Sequence, residues 1–381
     1  MVTSTLPSPT SLVEVPAAVD VVLADFFDRA VPRTGAISPV VADAAAAVRD
    51  FALNGGKRIR PIFVYAGWLC GLDATGRGSA DADAADVLRV CGAVELVQAC
   101  ALIHDDVIDQ SDTRRGNATV HRDFERRHRA AGWAGDSGHH GVSTAILMGD
   151  FALAWADDLL HDQYPAPDAD APDPDSLRPV PPAVARVWAA MRTEVLGGQY
   201  LDIVGEASGD ESIDAAYRVM EFKTATYTVA RPLELGATLA GAPSALITTL
   251  RSVGRDLGIA FQLRDDMLGA FGDPAQTGKP SGEDLVSGKR TALLAVALAR
   301  GDERDPAASA RLRGLIGREL SEDELATART ILVESGAVAE IEDQINELRD
   351  AALASLAAAD IGSRVRDELT VLADRIAHRS A

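Results

Sequence analysis

A chain of 381 residues can form two domains or one large helical one. With 47% hydrophobic and 25% charged residues it has the make-up of an ordinary soluble protein with a substantial core, and few aromatics beside abundant alanine favour close-packed helices over a β-sandwich. Thirty-seven Lys and Arg against 57 Asp and Glu leave a net charge of −20, which excludes a general nucleic-acid or anionic-membrane surface and obliges any polyanionic substrate to find a local basic patch.

Residues 1–16 are rich in Ser, Thr and Pro and are expected to be a disordered tail. From Ala17 the pattern is helical, with a break near Val31–Gly35. A helix through Val41 to Leu53 should end at Asn54-Gly55-Gly56, and the next should start after Arg60 with Pro61 at its first position. Gly71 to Ala80 reads as a loop, and a long helix follows from about Ala82 to Asp109. Its apolar run, Leu88 to Ile103, is interrupted by Arg89, Glu95 and Gln98, so it reads as a buried helix and not a membrane span. Glu95 is expected to be a satisfied buried carboxylate.

Gly132 to Gly141 is expected to be a mobile loop containing His139 and His140, with helix resuming over Ser143–Leu160. Residues 161–182 hold five Asp and seven Pro and read as a surface insertion. Helices continue from Val184 to Ala260, a polar Gly/Pro/Lys loop spans Gly272–Gly288, and the remainder is Ala/Leu/Glu/Arg-rich helix. No run alternates with period two, so the expected fold is all-α, one helical bundle over residues 17–381. Cys70, Cys91 and Cys100 form no CxxC pair and are odd in number, which argues against a disulfide framework or a cysteine zinc site. That usage, with no basic and apolar leader pattern at the start, fits a cytoplasmic protein.

Two acidic clusters carry the chemistry. Asp105, Asp106 and Asp109 lie in Leu102-Ile-His-Asp-Asp-Val-Ile-Asp109, and Asp265 and Asp266 in Phe261-Gln-Leu-Arg-Asp-Asp-Met-Leu268. Asp105 and Asp109 share a helix face, where two like charges cost about 0.2–0.5 kcal/mol. Taken singly, either cluster could be a solvated face. Both continue directly from apolar core sequence, and hard divalent cations favour carboxylate oxygens, with Mg²⁺ completing its shell from water and substrate phosphates. Basic groups accompany them: Lys57, Arg58 and Arg60 after a glycine turn, Arg114 and Arg115 after the first cluster, then Lys223, Lys279 and Lys289. Acid clusters, basic turns and a Lys-bearing loop point together to diphosphate chemistry. Neither GxxxxGK[ST] nor GxGxxG after a strand is present, so an ATP-using kinase is poorly supported.

Gly55-Gly-Lys-Arg-Ile-Arg-Pro61, His104-Asp-Asp-Val-Ile-Asp109 with Arg114-Arg-Gly116, Gly198-Gln-Tyr-Leu-Asp202, Lys223-Thr224 and Phe261-Gln-Leu-Arg-Asp-Asp266 occur in that order. Together they resemble the trans-isoprenyl diphosphate synthases of the polyprenyl synthetase family, over roughly Gly55 to Lys289. The resemblance implies a helical bundle around a central active-site cavity and a head-to-tail condensation of isopentenyl diphosphate with dimethylallyl, geranyl or farnesyl diphosphate. Asp105 and Asp109, with Asp106 adjacent, would hold two Mg²⁺; Asp265, supported by Asp266, would hold a third. Arg114, Lys223 and Lys289 would contact the allylic diphosphate, with Lys279 closing near it. Lys57, Arg60, Gln98 and Arg115 would bind isopentenyl diphosphate, Gln98 standing where many relatives carry histidine. Thr224 and Gln262 would lie beside the reacting carbons. A homodimer is implied as well, and delivery of the prenyl product to membrane enzymes.

One departure stands out: the second motif in many relatives reads DDxxD, and position 269 here is glycine. Weaker metal binding there is the expected consequence. The small Ala101 and Cys100, one turn below Asp105, imply a product longer than C15, with C20 geranylgeranyl diphosphate expected and farnesyl diphosphate or a longer chain as alternatives. Two other readings compete, a terpene cyclase and a non-catalytic partner subunit. A cyclase would not need the second diphosphate pocket of Lys57, Arg60 and Arg115, and a regulatory subunit would be expected to carry degraded aspartate motifs. Asp202 and Gln199 are candidate supports for the metal site from a neighbouring helix.

Overall fold

The computed structural model describes residues 8–78, 84–162, 180–272 and 282–377. They are helical almost throughout, so the all-α expectation holds. The chain divides into two compact units, one of Met1–Trp68 with Arg77–Ala185 and one of Leu69–Gly76 with Arg186–Ala381. The N-terminal residues 1–7, most of the Pro/Asp-rich insertion (163–179) and Lys279 lie outside the described residues.

In the first unit, α1 (Val15–Thr34) and α2 (Pro39–Leu53) precede the start of α3 (Ile59–Ala74), and α4 (Ala85–Ile108), α5 (Val120–Ala131) and α6 (Ser137–Leu160) complete it. Ser38 caps α2, and Asn54 ends it before Gly55 and Gly56, both at positive φ, as the glycine turn leads one to expect. Helix α3 begins at Ile59, two residues before the expected start, with Pro61 in its first turn. Phe26, Phe27 and Trp155 stack edge to face in the core, with centroids 5.6–6.1 Å apart. Helix α4 is long and apolar enough to cross a membrane by composition, but 72% of its most apolar window is buried against its neighbours, the mark of a core helix.

The tail expected over residues 1–16 is structured from Leu12, where a 3-10 turn (Leu12–Glu14) leads into α1 with Leu12 and Val15 buried. Two further expectations need correction. Gly132–Gly141 is a loop only over its first half: Gly132 closes α5 in a left-handed conformation, and Asp136 caps α6, which begins at Ser137, by accepting the His139 N–H at 2.6 Å. His139 and His140 therefore lie in the first turn of α6, where the His140 ring packs 4.9 Å from His128 and 5.4 Å from Trp133. Secondly, a small ribbon exists, with β1 (Thr113–Arg114) antiparallel to β2 (Asn117–Ala118). Its turn residues Arg115 and Gly116 have φ of 52° and 77°, the doubly left-handed turn that matches strand twist. At two residues a strand, there is no alternation for a sequence pattern to reveal.

The second unit takes most of α7 (Pro182–Ser208), then α8 (Ile213–Val219), a π-helical segment (Met220–Ala230), α9 (Arg231–Leu239) and α10 (Ser244–Phe271). The short α11 (Glu283–Ser287) leads to α12 (Ala292–Arg304), α13 (Pro306–Arg313), α14 (Glu322–Glu334), α15 (Ala337–Ala358) and α16 (Ser363–Ala377). Its core gathers Leu263, Leu293, Leu298, Leu332, Ile341 and Ile345. Arg264 of α10 fixes the surrounding helices, donating to both oxygens of Glu342 at 2.6 Å and to the Ala377 carbonyl at 3.0 Å.

Candidate active site

The acid end of α4 is built from a one-sided helix. Between Val90 and Cys100 every residue is buried except Gln98. From there only Ile103 and Asp106 are buried up to Asp109, and Gln98, Ala101 and Asp105 form an accessible stripe at helical spacing. Asp109 is the C-cap, its N–H still bonded to the Asp105 carbonyl at 2.8 Å. Asp106 faces inward and is 1% exposed; burial pushes its carboxyl up, against the pull of Arg114. Cys100, expected to line the product floor beside Ala101, is instead buried. Its thiol is pushed up to about 12 by burial, with Asp150 adding to the effect.

His104 anchors this end against α6. Its Nε2 lies 3.0 Å from the Ile146 carbonyl, and the ring sits where a Cβ at Gly149 would come within 2.1 Å. Only glycine allows that approach.

The basic loop is organised by Arg58. Its φ of 49° is a left-handed conformation that costs a non-glycine residue free energy. The guanidinium is held by Asp20 at 2.7 Å, by Glu95 at 2.9 Å and by the Ala52 carbonyl at 2.7 Å. Glu95 is thereby the satisfied buried carboxylate its position in the apolar run suggested. Arg58 is a buried strut and fixes the exposed Lys57 and half-buried Arg60 on either side. Arg115 reaches the same loop from the hairpin, donating to the Gly55 carbonyl at 2.5 Å, with its guanidinium 3.3 Å from where a Cβ at Gly56 would stand. Burial and the neighbouring Arg58 both lower the Arg115 pKa from its usual value. A cavity of about 450 Å³ opens beside the loop, lined by Asn54, Arg114, Arg115, Phe124 and Arg127 among others.

In the second unit, Lys223 and Thr224 ride on the π-helical segment, a rare geometry that recurs at functional sites. Three glycines clamp it. A Cβ at Gly198 of α7 would lie 2.2 Å from the Lys223 backbone nitrogen, and Cβ atoms at Gly254 and Gly258 of α10 would lie 2.5 Å from Ala230 and Ala225. Asp202, one helical turn beyond Gly198, accepts the Lys223 ammonium at 2.5 Å. Asp202 thereby ties α7 to the lysine of the π-helical segment.

Asp265 is half-buried on α10, whereas Asp266 is turned inward. The Asp266 oxygens accept from Gln262 Nε2 at 2.8 Å and from the Ala292 N–H at 3.3 Å, tying α10 to the start of α12. Burial pushes the Asp266 carboxyl up to about 8. Lys289 follows the left-handed Gly288 at the end of α11 and donates its N–H to the Asp284 carbonyl at 3.0 Å. The structure thus brings Lys57, Arg60, Gln98, Asp105, Asp106, Asp109, Arg114 and Arg115 into one unit, and Lys223, Thr224, Gln262, Asp265, Asp266 and Lys289 into the other.

Among the described residues no group of three or more His, Cys, Asp or Glu forms a closed metal cage. The donor set fits Mg²⁺ nevertheless, because that ion takes one or two carboxylates and leaves the remaining positions to water and phosphate. One oxygen of Asp106 is buried with no hydrogen-bond partner among the described residues, a vacancy in the polar accounting beside Asp105.

These helix-borne acid motifs, basic loop and lysine-bearing π segment are those of an all-α prenyltransferase. Residues 43–332 match the polyprenyl synthetase family, and the chain belongs to it. It is 45% identical to a geranylgeranyl pyrophosphate synthase from Corynebacterium glutamicum, solved with isoprenyl diphosphate and magnesium; the match covers 97% of this chain and 99% of that one, with a TM-score of 0.87. It is 34% identical to the (2E,6E)-farnesyl diphosphate synthase of Mycobacterium tuberculosis over 74% of this chain and 68% of the relative. The geranylfarnesyl diphosphate synthase of Aeropyrum pernix is 31% identical over 74% and 77%.

Proposed function

We propose that this chain is a magnesium-dependent synthase that condenses isopentenyl diphosphate with an allylic diphosphate and releases geranylgeranyl diphosphate. The observation that carries the reading is the accessible stripe of α4, where Gln98, Ala101 and Asp105 lead from apolar core to two carboxylates one turn apart.

Asp105 and Asp109 on one motif and Asp265 on the other would hold the metal, which when bound neutralises the departing diphosphate. Arg114 in the first unit and Lys223 and Lys289 in the second carry positive charge that suits a diphosphate, and Lys279 has the sequence position to do the same. Lys57, Arg60, Arg115 and Gln98 suit the second diphosphate, because guanidinium and ammonium donors bind phosphate oxygens strongly. Thr224 and Gln262 offer oxygens to the allylic cation that develops as the carbon–oxygen bond breaks. The isopentenyl double bond supplies the electrons, so no side-chain nucleophile is required, and the released diphosphate can take the final proton.

Relatives span farnesyl, geranylgeranyl, geranylfarnesyl and heptaprenyl synthases, so the C20 product rests on this chain's own floor. The small Ala101 on the accessible stripe favours a product longer than C15. A homodimer in the cytoplasm is part of the proposal. The exposed apolar residues Leu196, Tyr200, Leu201 and Val204 of α7 support the dimer, because such patches mark interaction surfaces.

The test is a product assay with Mg²⁺, labelled isopentenyl diphosphate and each allylic primer in turn. Extended diphosphates ending at C20 and abolished by EDTA support the reading. A folded protein that extends no primer would refute it, and hydrocarbon released from an allylic diphosphate alone would make it a cyclase.

A further inference from the structure

The cavity of about 450 Å³ in the first unit is lined by none of Lys57, Arg60 and Gln98. Its walls are the end of α2, the β1–β2 hairpin and the first two turns of α5. Its volume falls in the range of small-molecule sites. Val120 and Phe124 on its wall are buried and Phe51 is half-buried, whereas Arg115, Arg126 and Arg127 are exposed. The pocket is therefore apolar inside and basic at its edge.

The charges around it do not cancel. Arg126 and Arg127 both pair with one carboxylate, Asp123, at 2.7 and 2.6 Å, which leaves one positive charge over. Arg115 donates to the Gly55 and Asn54 carbonyls at 2.5 and 3.3 Å and has no carboxylate within pairing distance among the described residues. Asp50, the other acid on the wall, is already met by Arg49 at 2.8 Å. Two positive charges thus face this pocket uncompensated, in a chain whose net charge is −20. Burial and the Arg58 charge both lower the Arg115 pKa, so an anion beside Arg115 would relieve repulsion. The Arg127 guanidinium stands 4.8 Å over the Phe124 ring, and Asn54 and Asn117 add amide donors.

We propose that this pocket is a regulatory site for an organic diphosphate, with its phosphates held by Arg115 and the Arg126–Arg127 pair and its apolar portion lying on Phe51, Val120 and Phe124. Two sources share that chemistry, a prenyl diphosphate and a nucleoside diphosphate. Arg115 also braces the glycine turn that precedes Lys57, so an occupant that draws on Arg115 loosens the turn and weakens binding of isopentenyl diphosphate. The regulatory half of the proposal rests on the synthase reading; the binding half does not.

Calorimetry on the full chain, without divalent metal, tests the binding. The probes are adenosine diphosphate, inorganic diphosphate and citronellyl diphosphate, which lacks the allylic double bond and cannot act as a primer. One organic probe should bind more tightly than inorganic diphosphate, and which one it is identifies the source. Arg126→Gln/Arg127→Gln changes two exposed residues that the condensation does not use. It should weaken that probe about tenfold, the worth of a charged hydrogen bond, with basal turnover and melting temperature unchanged. Asp50→Asn removes an opposing charge and should tighten the probe about twofold. In the product assay the same probe should raise KM for isopentenyl diphosphate in the wild type and far less in the double variant. Equal affinity in wild type and double variant would overturn the proposal, as would a wild type that binds neither organic probe, or inhibition that persists in the double variant. Binding that is lost in the double variant of a chain that extends no primer would refute the synthase reading and still support the site.

Discussion

Arg114 donates from two nitrogens to a single oxygen of Asp106, at 2.7 Å from Nε and 2.6 Å from a terminal nitrogen. The carboxylate it holds is buried, and Arg114 itself is three-quarters covered, so the pair is desolvated and depends on both partners. The hairpin that carries Arg114 thereby fastens onto the acid end of α4. Arg114→Met should destabilise the protein by about 3 kcal/mol in urea unfolding, because it strands the Asp106 charge. Asp106→Asn/Arg114→Met should be more stable than Arg114→Met alone, since the stranded group is then neutral. Equal stability of the two variants would show that the ion pair does not hold the hairpin.

The Lys223–Asp202 contact depends on a gap. A methyl group at Gly198 would strike the Lys223 backbone nitrogen, which cannot rotate away as a side-chain tip would. Gly198→Ala should cost about 1–3 kcal/mol, the usual range for overpacking, and should cut turnover as the π segment shifts. Asp202→Asn leaves the packing alone. It should lower turnover while moving the melting temperature little, because its partner is partly solvated. The opposite pattern, lost stability with full activity, would make Asp202 a structural residue only.

The features legible in the sequence were those with a local signature. The glycine turn at Asn54–Gly56, the two acid clusters and the buried fate of Glu95 follow from spacing and from where apolar runs stop. The illegible features all depend on residues far apart in the chain. Arg58 reads like its neighbours Lys57 and Arg60 until Asp20 and Glu95 are seen around it, 38 and 37 residues away. The Asp202 contact with Lys223 joins residues 21 positions apart. A Cβ at Gly269 would strike Asp284, fifteen positions on. The loop expected at Gly132–Gly141 is shorter than read for a local reason, because the Asp136 cap starts α6 upstream of two glycines that weigh against helix.

All three cysteines are free and buried. Burial pushes the Cys70 and Cys100 thiols up to about 12, and it raises Cys91 well above its usual value. Unfolded thiols ionise near pH 8.5, so the folded state retains protons that the unfolded state sheds. This contribution to stability is complete below about pH 8.5 and is lost as pH climbs toward 12. The native protein should therefore resist iodoacetamide at pH 9, whereas urea-unfolded protein should take up three labels per chain. Rapid labelling of Cys100 in the native state would mean that α4 opens locally.

Ala101 and Cys100 stand side by side in sequence and face opposite environments. Ala101 lies on the accessible stripe one turn below Asp105, while Cys100 packs in the core with its sulfur 3.7 Å from His104 Nδ1. A bulky residue should have different effects at the two positions. Ala101→Phe should place a ring across the path of a growing chain and shift the product from C20 toward C15, with stability close to wild type. Cys100→Phe has no space to enter and should destabilise the fold by about 1–3 kcal/mol or more, as overpacking does. Chromatography of the dephosphorylated products, run beside urea unfolding of both variants, separates the two effects. An unchanged product profile in a folded Ala101→Phe would mean that the chain ends elsewhere than on α4.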